Sequence, residues 1–143
     1  MSVRAILSHK GHEVATITAD ASLAEAIGLL AELRIGALVV TGPIDGVAGI
    51  VSERDIVRAL AEHKSKALKR PVGDFMTRKV ATCSLDDTVA DLMQQMTEGR
   101  FRHLPVIEHG RLAGIVSIGD VVKSRVAEIE RESEALRDYI RTA

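Results

Sequence analysis

Two pairs of residues have the types and spacing to do chemistry together. Ser52 and Asp55 stand three apart with Arg54 between them, and Ser117 and Asp120 stand three apart with Gly119 in the matching place. Each pair follows an apolar run, Gly49-Ile50-Val51 or Gly114-Ile115-Val116, so each falls where a buried strand meets a helix N-terminus. A serine there accepts a hydrogen bond from a backbone N–H of the first turn, and an acid three residues on reaches back to it, which is a capping box. The same atoms also suit a nucleotide. A carboxylate can accept two hydrogen bonds from a ribose diol, while free helix N–H groups and the serine hydroxyl face a phosphate. Spacing alone leaves both readings open, because Ser22 with Glu25 and Thr88 with Asp91 repeat it elsewhere.

The elements that must position these pairs come from a duplication. Val14-Ala15-Thr16-Ile17-Thr18 lines up with Val80-Ala81-Thr82-Cys83-Ser84, Asp20 with Asp86, and Leu38-Val39-Val40 with Leu104-Pro105-Val106, a shift of 66 residues that falls to 65 at Asp55 and Asp120. Within each copy the hydrophobic period changes in one order. Val14 to Thr18 is β-branched and strand-like, and Ser22 then opens a helix whose apolar stripe runs through Leu23, Ala26, Ile27, Leu30 and Leu33 until Gly36. Ala37 to Thr41 and Val47 to Val51 read as two strands joined by a turn at Gly42 to Gly46, and Ser52 starts a further helix. The second copy repeats this with strands near Val80 to Ser84, His103 to Ile107 and Arg111 to Val116, and helices from Thr88 and Ser117. The expected architecture is α/β: strand, helix, strand, strand, helix, twice. The boundaries read as residues 1–62 for the first repeat, 63–71 for a basic linker, 72–125 for the second repeat and 126–143 for an extension of the last helix. The run from His63 to Pro71 reads as a solvated connector rather than an anion site.

Composition narrows the function. With 143 residues, 46% of them hydrophobic, the chain can build a core, and a net charge of −1 gives no reason to expect nucleic acid or an anionic membrane as partner. No apolar run approaches the roughly 20 residues that span a bilayer, and the N-terminus lacks the apolar stretch of a signal peptide. A soluble, cytoplasmic protein is expected. The single cysteine, Cys83, fits a reducing compartment and reads as a small buried side chain rather than a nucleophile. His9 and His12 have no third ligand nearby, so no metal is expected, and no phosphate-binding glycine loop or Ser/His/Asp order suggests an enzyme.

The last helix outruns its counterpart. Val122, Val126, Ile129, Ser133, Leu136 and Ile140 are spaced 4, 3, 4, 3 and 4, an a/d seam that needs a partner. Either it packs back on its own domain or it joins two chains, and a homodimer is the expectation. Three heptads or fewer are too short to be stable alone, so a dimer should also use the globular part.

Taken together, the doubled unit, Leu104-Pro105-Val106 after Arg102-His103, and Gly-Ile-Val-Ser closing each copy before its aspartate resemble a tandem pair of CBS (cystathionine β-synthase) domains, the Bateman module. The resemblance implies a regulatory rather than catalytic task and a cleft between the copies for adenosine-containing ligands such as AMP, ADP, ATP, S-adenosylmethionine or NAD(H). It also implies that the strands of one copy complete the aspartate of the other. Asp55 would face Val80, Ala81, Phe101, Arg102 and His103, and Asp120 would face Val14, Ala15, Ile35, Gly36 and Ala37. Arg54, Arg102 and His103 favour phosphate at the first site, whereas the second has Gly119 for Arg54 and only Lys10 as a candidate phosphate contact. Leu38-Val39-Val40 departs from the family's Leu-Pro-Val. The rival expectation is a ligand-independent dimeric scaffold that uses its last helix to hold some regulated protein.

Overall fold

The computed structural model describes residues 1–42 and 46–142, so most of the turn expected at Gly42 to Gly46 lies outside the described residues. Helix α1 (Val3–Lys10) leads into β1 (Thr16–Thr18), α2 (Leu23–Leu33), the hairpin β2 (Ala37–Thr41) and β3 (Val47–Ser52), and α3 (Glu53–His63). Two 3₁₀ turns, Lys64–Lys69 and Val72–Asp74, precede α4 (Val89–Gly99), the hairpin β4 (His103–Glu108) and β5 (Arg111–Ser117), and α5 (Ile118–Thr142). β1 runs parallel to β2, which pairs antiparallel with β3, and β4 pairs antiparallel with β5. Both hairpins shift register at the same point, between Val40 and Thr41 and between Val106 and Ile107, as a duplicated unit should.

The strand expected at Val80 to Ser84 does not form. Only Cys83 bridges to Val106, with Cys83 N–H donating to Pro105 O at 3.0 Å and Ile107 N–H to Cys83 O at 2.9 Å. In the first copy Val39 N–H also donates to Ala15 O at 3.1 Å. Its counterpart Pro105 has no N–H to give Ala81, so the ladder ends one rung early. β1 is likewise shorter than expected, and Val14 and Ala15 lie before it.

Helix ends also differ from expectation. α2 stops at Arg34, not Gly36, and α4 stops at Arg100, both in the left-handed region at φ 55° and 58°. Ser22 accepts from Glu25 N–H, but among the described residues a reciprocal box closes only at Ser52/Asp55, Thr88/Asp91 and Ser117/Asp120. The basic linker is not a plain solvated loop. Lys64–Lys69 is helical and fully buries Ala67, while Arg70 lies 4.9 Å from the Phe75 ring and pairs with Asp74.

The two copies exchange their lead-ins. Val3, Ile6 and Leu7 of α1 are buried with Cys83, Leu92, Leu104, Val106 and Val116 of the second copy. Ala67, Val72 and Met76, which lead into the second copy, are buried with Leu23, Leu38, Val40 and Val51 of the first. Backbone bonds hold each crossing: Val3 N–H to Asp87 O at 2.9 Å, and Val72 N–H to Ala21 O at 2.8 Å. This crossing explains the glycine of each Gly-Ile-Val-Ser run. A Cβ on Gly49 would lie 2.6 Å from Thr77 O, and one on Gly114 would lie 2.8 Å from a Leu7 methyl.

Only the first turns of α5 are anchored, through buried Val121 and Ser124. Val122, Val126, Ile129, Leu136 and Ile140 are 48–64% exposed, so the seam does not pack back on its own domain.

Candidate functional site: two unequal cavities

The strand-to-helix junctions carry the site because each serine turns the chain from extended to helical. Ser52 Oγ accepts from Asp55 N–H at 3.5 Å, and Asp55 Oδ2 accepts from Ser52 N–H at 2.9 Å and from Ser52 Oγ at 3.1 Å. The crossing lead-in adds Thr77, whose hydroxyl donates to Asp55 Oδ1 at 3.2 Å. Asp55 is thus a buried carboxylate held by neutral donors, with one lone pair on Oδ1 left for a ligand. It lines a cavity of about 300 Å³ together with Ser52, Arg54, Val80, Ala81, Phe101, Arg102 and His103, every residue expected at the first site. Phe101 divides its ring between this wall and the second copy's core.

Five permanent cations line this cavity: Arg54, Arg58, Lys79, Arg100 and Arg102. Against them stand only the carboxylates of Glu53 and Asp55, so the cavity attracts anions. Arg58, Lys79, Arg100 and Thr77 are additions to the sequence-based set. Arg58 was findable, since it follows Arg54 by one helical turn. Thr77 was not, because nothing local shows that its segment crosses to the other copy.

The second junction has the same cap and a different partner. Asp120 Oδ2 accepts from Ser117 N–H at 2.8 Å, from Ser117 Oγ at 3.0 Å and from Lys10 Nζ at 2.6 Å. Lys10 also donates to Ile115 O at 2.8 Å, so two of its three protons are engaged. Burial pushes the Asp120 carboxyl up, but Lys10 and Ser117 outweigh it and hold the group below its ordinary value. The neighbouring cavity, about 560 Å³, brings together Val14, Ala15, Ile35, Gly36, Ala37, Lys10 and Ser117. Gly119 and Asp120 do not line it, and Glu13 and Arg34, which do, were outside the expected set. Size favours this cavity, but charge favours the first.

Gly36 and His103 line both cavities. A Cβ on Gly36 would lie 3.6 Å from the His103 ring, so this wall is one side chain thick. Burial, then Lys10, lowers the His103 pKa, with Arg102 adding to the effect and Asp120 and Glu53 opposing it. Cys83 lines neither cavity, and burial, reinforced by Asp87, pushes its thiol up to about 12, so it is inert.

A CBS domain family model matches residues 3–62 and again 72–127. The chain belongs to the CBS domain family. Its two copies form a tandem CBS pair, a class of module that is generally regulatory and not catalytic. A CBS-domain protein, ATU1752 of Agrobacterium tumefaciens, is 48% identical over 87% of this chain and 99% of its own, with a TM-score of 0.85. The CBS pair of protein MJ0100, solved with 5-methylthioadenosine and S-adenosyl-L-methionine, is 25% identical over 90% of this chain and 98% of its own at a TM-score of 0.76. CBSX2 solved in complex with AMP is 28% identical over 80% and 88%, at 0.68. Among curated relatives, the mitochondrial CBSX3 of Arabidopsis thaliana is 38% identical over 86% of this chain, which spans 62% of that relative's length. Among the described residues, no helix of the CBS pair is long and apolar enough to cross a membrane.

Proposed function

We propose that this CBS pair is a non-catalytic regulatory module that binds an adenosine-containing nucleotide, AMP, ADP, ATP or NAD(H), in the cavity beside Asp55. One observation carries the reading: a buried carboxylate and five permanent cations share about 300 Å³ at a helix N-terminus. Asp55 accepts a ribose hydroxyl. Arg54, through its guanidinium and its backbone N–H, Arg102 and His103 hold phosphate, Ser52 keeps its hydroxyl proton on Asp55, and Val80, Ala81 and Phe101 form the adenine wall. AMP in CBSX2 and the adenosine ligands in MJ0100 support this ligand class. The second cavity, with Val14, Ala15, Ile35 and Ala37, takes a less anionic ligand or takes the same one more weakly, because Lys10 already answers Asp120.

Calorimetry with AMP, ATP, NADH and S-adenosylmethionine tests the proposal. Saturable binding of a phosphorylated ligand is expected, weakened about tenfold by Arg102→Ala, as loss of one charge-assisted hydrogen bond of about 1.4 kcal/mol implies. No binding by any of the four up to low millimolar concentration would sink it. A second reading, a ligand-independent scaffold, draws on the exposed seam of α5. It requires a protein partner whose binding is lost on disrupting the seam and is indifferent to all four ligands.

A further inference from the structure

The exposed seam of α5 carries information about its occupant in the charges beside it. With Val126, Ser133 and Ile140 at a and Val122, Ile129 and Leu136 at d, the e positions are Lys123, Glu130 and Arg137, and the g positions are Arg125, Glu132 and Tyr139. In a parallel, in-register pair each g residue meets the e residue five further along on the other helix. That places Arg125 against Glu130 and Glu132 against Arg137, each twice by symmetry, with no like-charge pair. An antiparallel pair that aligns the whole seam opposes Val122 to Ile140 and matches e with e and g with g. Glu130 then meets Glu130, Glu132 meets Glu132 and Lys123 meets Arg137, all repulsive. Shorter antiparallel overlaps restore opposite charges but leave either Leu136 and Ile140 or Val122 and Val126 uncovered.

We propose that a second copy of this chain covers this face, the two α5 tails lying parallel and in register from Val122 to Ile140. The seam is free to do so. Val122, Val126 and Ile129 point away from Val121 and Ser124, the residues that bury α5 against its own CBS pair. Most of the tail also lies beyond the family match, which ends at residue 127. A tail of under three heptads is marginal alone, so the pair closes on the CBS modules at its base. The proposal is independent of whether the cavities take a nucleotide.

Cross-linking in the full chain distinguishes the arrangements. In the parallel pair the two Ile140 positions are neighbours, whereas in the full antiparallel pair they are about 27 Å apart at 1.5 Å rise per residue. Ile140→Cys is expected to form a disulfide-linked dimer under mild oxidation with diamide; buried Cys83 does not compete. A mixture of Val122→Cys and Ile140→Cys chains that links only in the mixed pair would overturn the parallel assignment. A sedimentation velocity profile of the unmodified protein that is monomeric up to about 100 µM would overturn the pairing itself. Glu132→Arg is expected to raise the dimer dissociation constant roughly tenfold, and Glu132→Arg with Arg137→Glu to restore it. Failure of that rescue also counts against the parallel register.

Discussion

His103 lines both cavities and is a titrating group between them. Burial first, then Lys10 and Arg102, keeps its folded pKa below the ordinary histidine value, against the pull of Asp120 and Glu53. The unfolded chain therefore takes up the proton first as pH falls, so this group's contribution to stability is present above its unfolded pKa and is lost below it. Unfolding free energy from urea titrations is expected to drop between pH 7.5 and 5.5, and His103→Gln is expected to shallow that slope. A phosphate in the first cavity acts in the opposite sense, because an anion favours the imidazolium. AMP affinity should therefore rise as pH falls through the same window, and more in the wild type than in His103→Gln. Equal slopes in the two proteins would show that His103 faces no phosphate.

At the level of elements, two arginines occupy positions that usually favour glycine. Arg34 and Arg100 end α2 and α4 in the left-handed region, and each lines a cavity. A left-handed side chain costs about 1–2 kcal/mol, which a glycine recovers in part after its own chain entropy. Arg100→Gly is thus expected to be more stable than Arg100→Ala by about 0.5–1 kcal/mol in urea unfolding. Both should bind nucleotide several-fold more weakly than the wild type, since both remove a cation from the first cavity. Weaker stability in the glycine variant would contradict this account.

Much of this level was legible from residue order. The repeat, the paired strands, three of the four capping boxes and eight of the residues that line the first cavity, Asp55 among them, all followed from spacing together with the family resemblance. What escaped depended on contacts between the copies. The loss of the Val80 to Ser84 strand turns on a missing N–H at Pro105, on the next strand of the chain beyond α4. The pairing of Lys10 with Asp120 and of Thr77 with Asp55 spans 110 and 22 residues, beyond any local pattern. The sequence points to Gly36 as the helix stop, whereas Arg34, two residues earlier, takes the left-handed turn that a glycine normally would.

Across the whole molecule, the exchanged lead-ins tie the copies together and hold the cavities between them. α1 belongs to the second core, and the 3₁₀ turns before α4 belong to the first, so neither copy has a complete core by itself. The motif glycines mark where these crossings press on the hairpins. Gly49→Ala meets a backbone oxygen and is expected to cost about 1–3 kcal/mol, while Gly114→Ala meets a movable leucine methyl and should cost less. Thermal melts of the two variants check this, and an equal or reversed order would contradict it. Gly49→Ala should also disturb nucleotide binding, because the segment it displaces carries Thr77, one of the neutral donors that hold Asp55.

The central claim is that the two cavities are unequal, and that the one beside Asp55 takes the nucleotide. A crystal structure of the protein grown with AMP tests it most directly. The expected result is AMP in the first cavity, a ribose hydroxyl on Asp55 and its phosphate among Arg54, Arg102 and His103, at higher occupancy than any in the second. AMP in the second cavity alone, with the Lys10 to Asp120 bond displaced and the first cavity empty, would contradict the account.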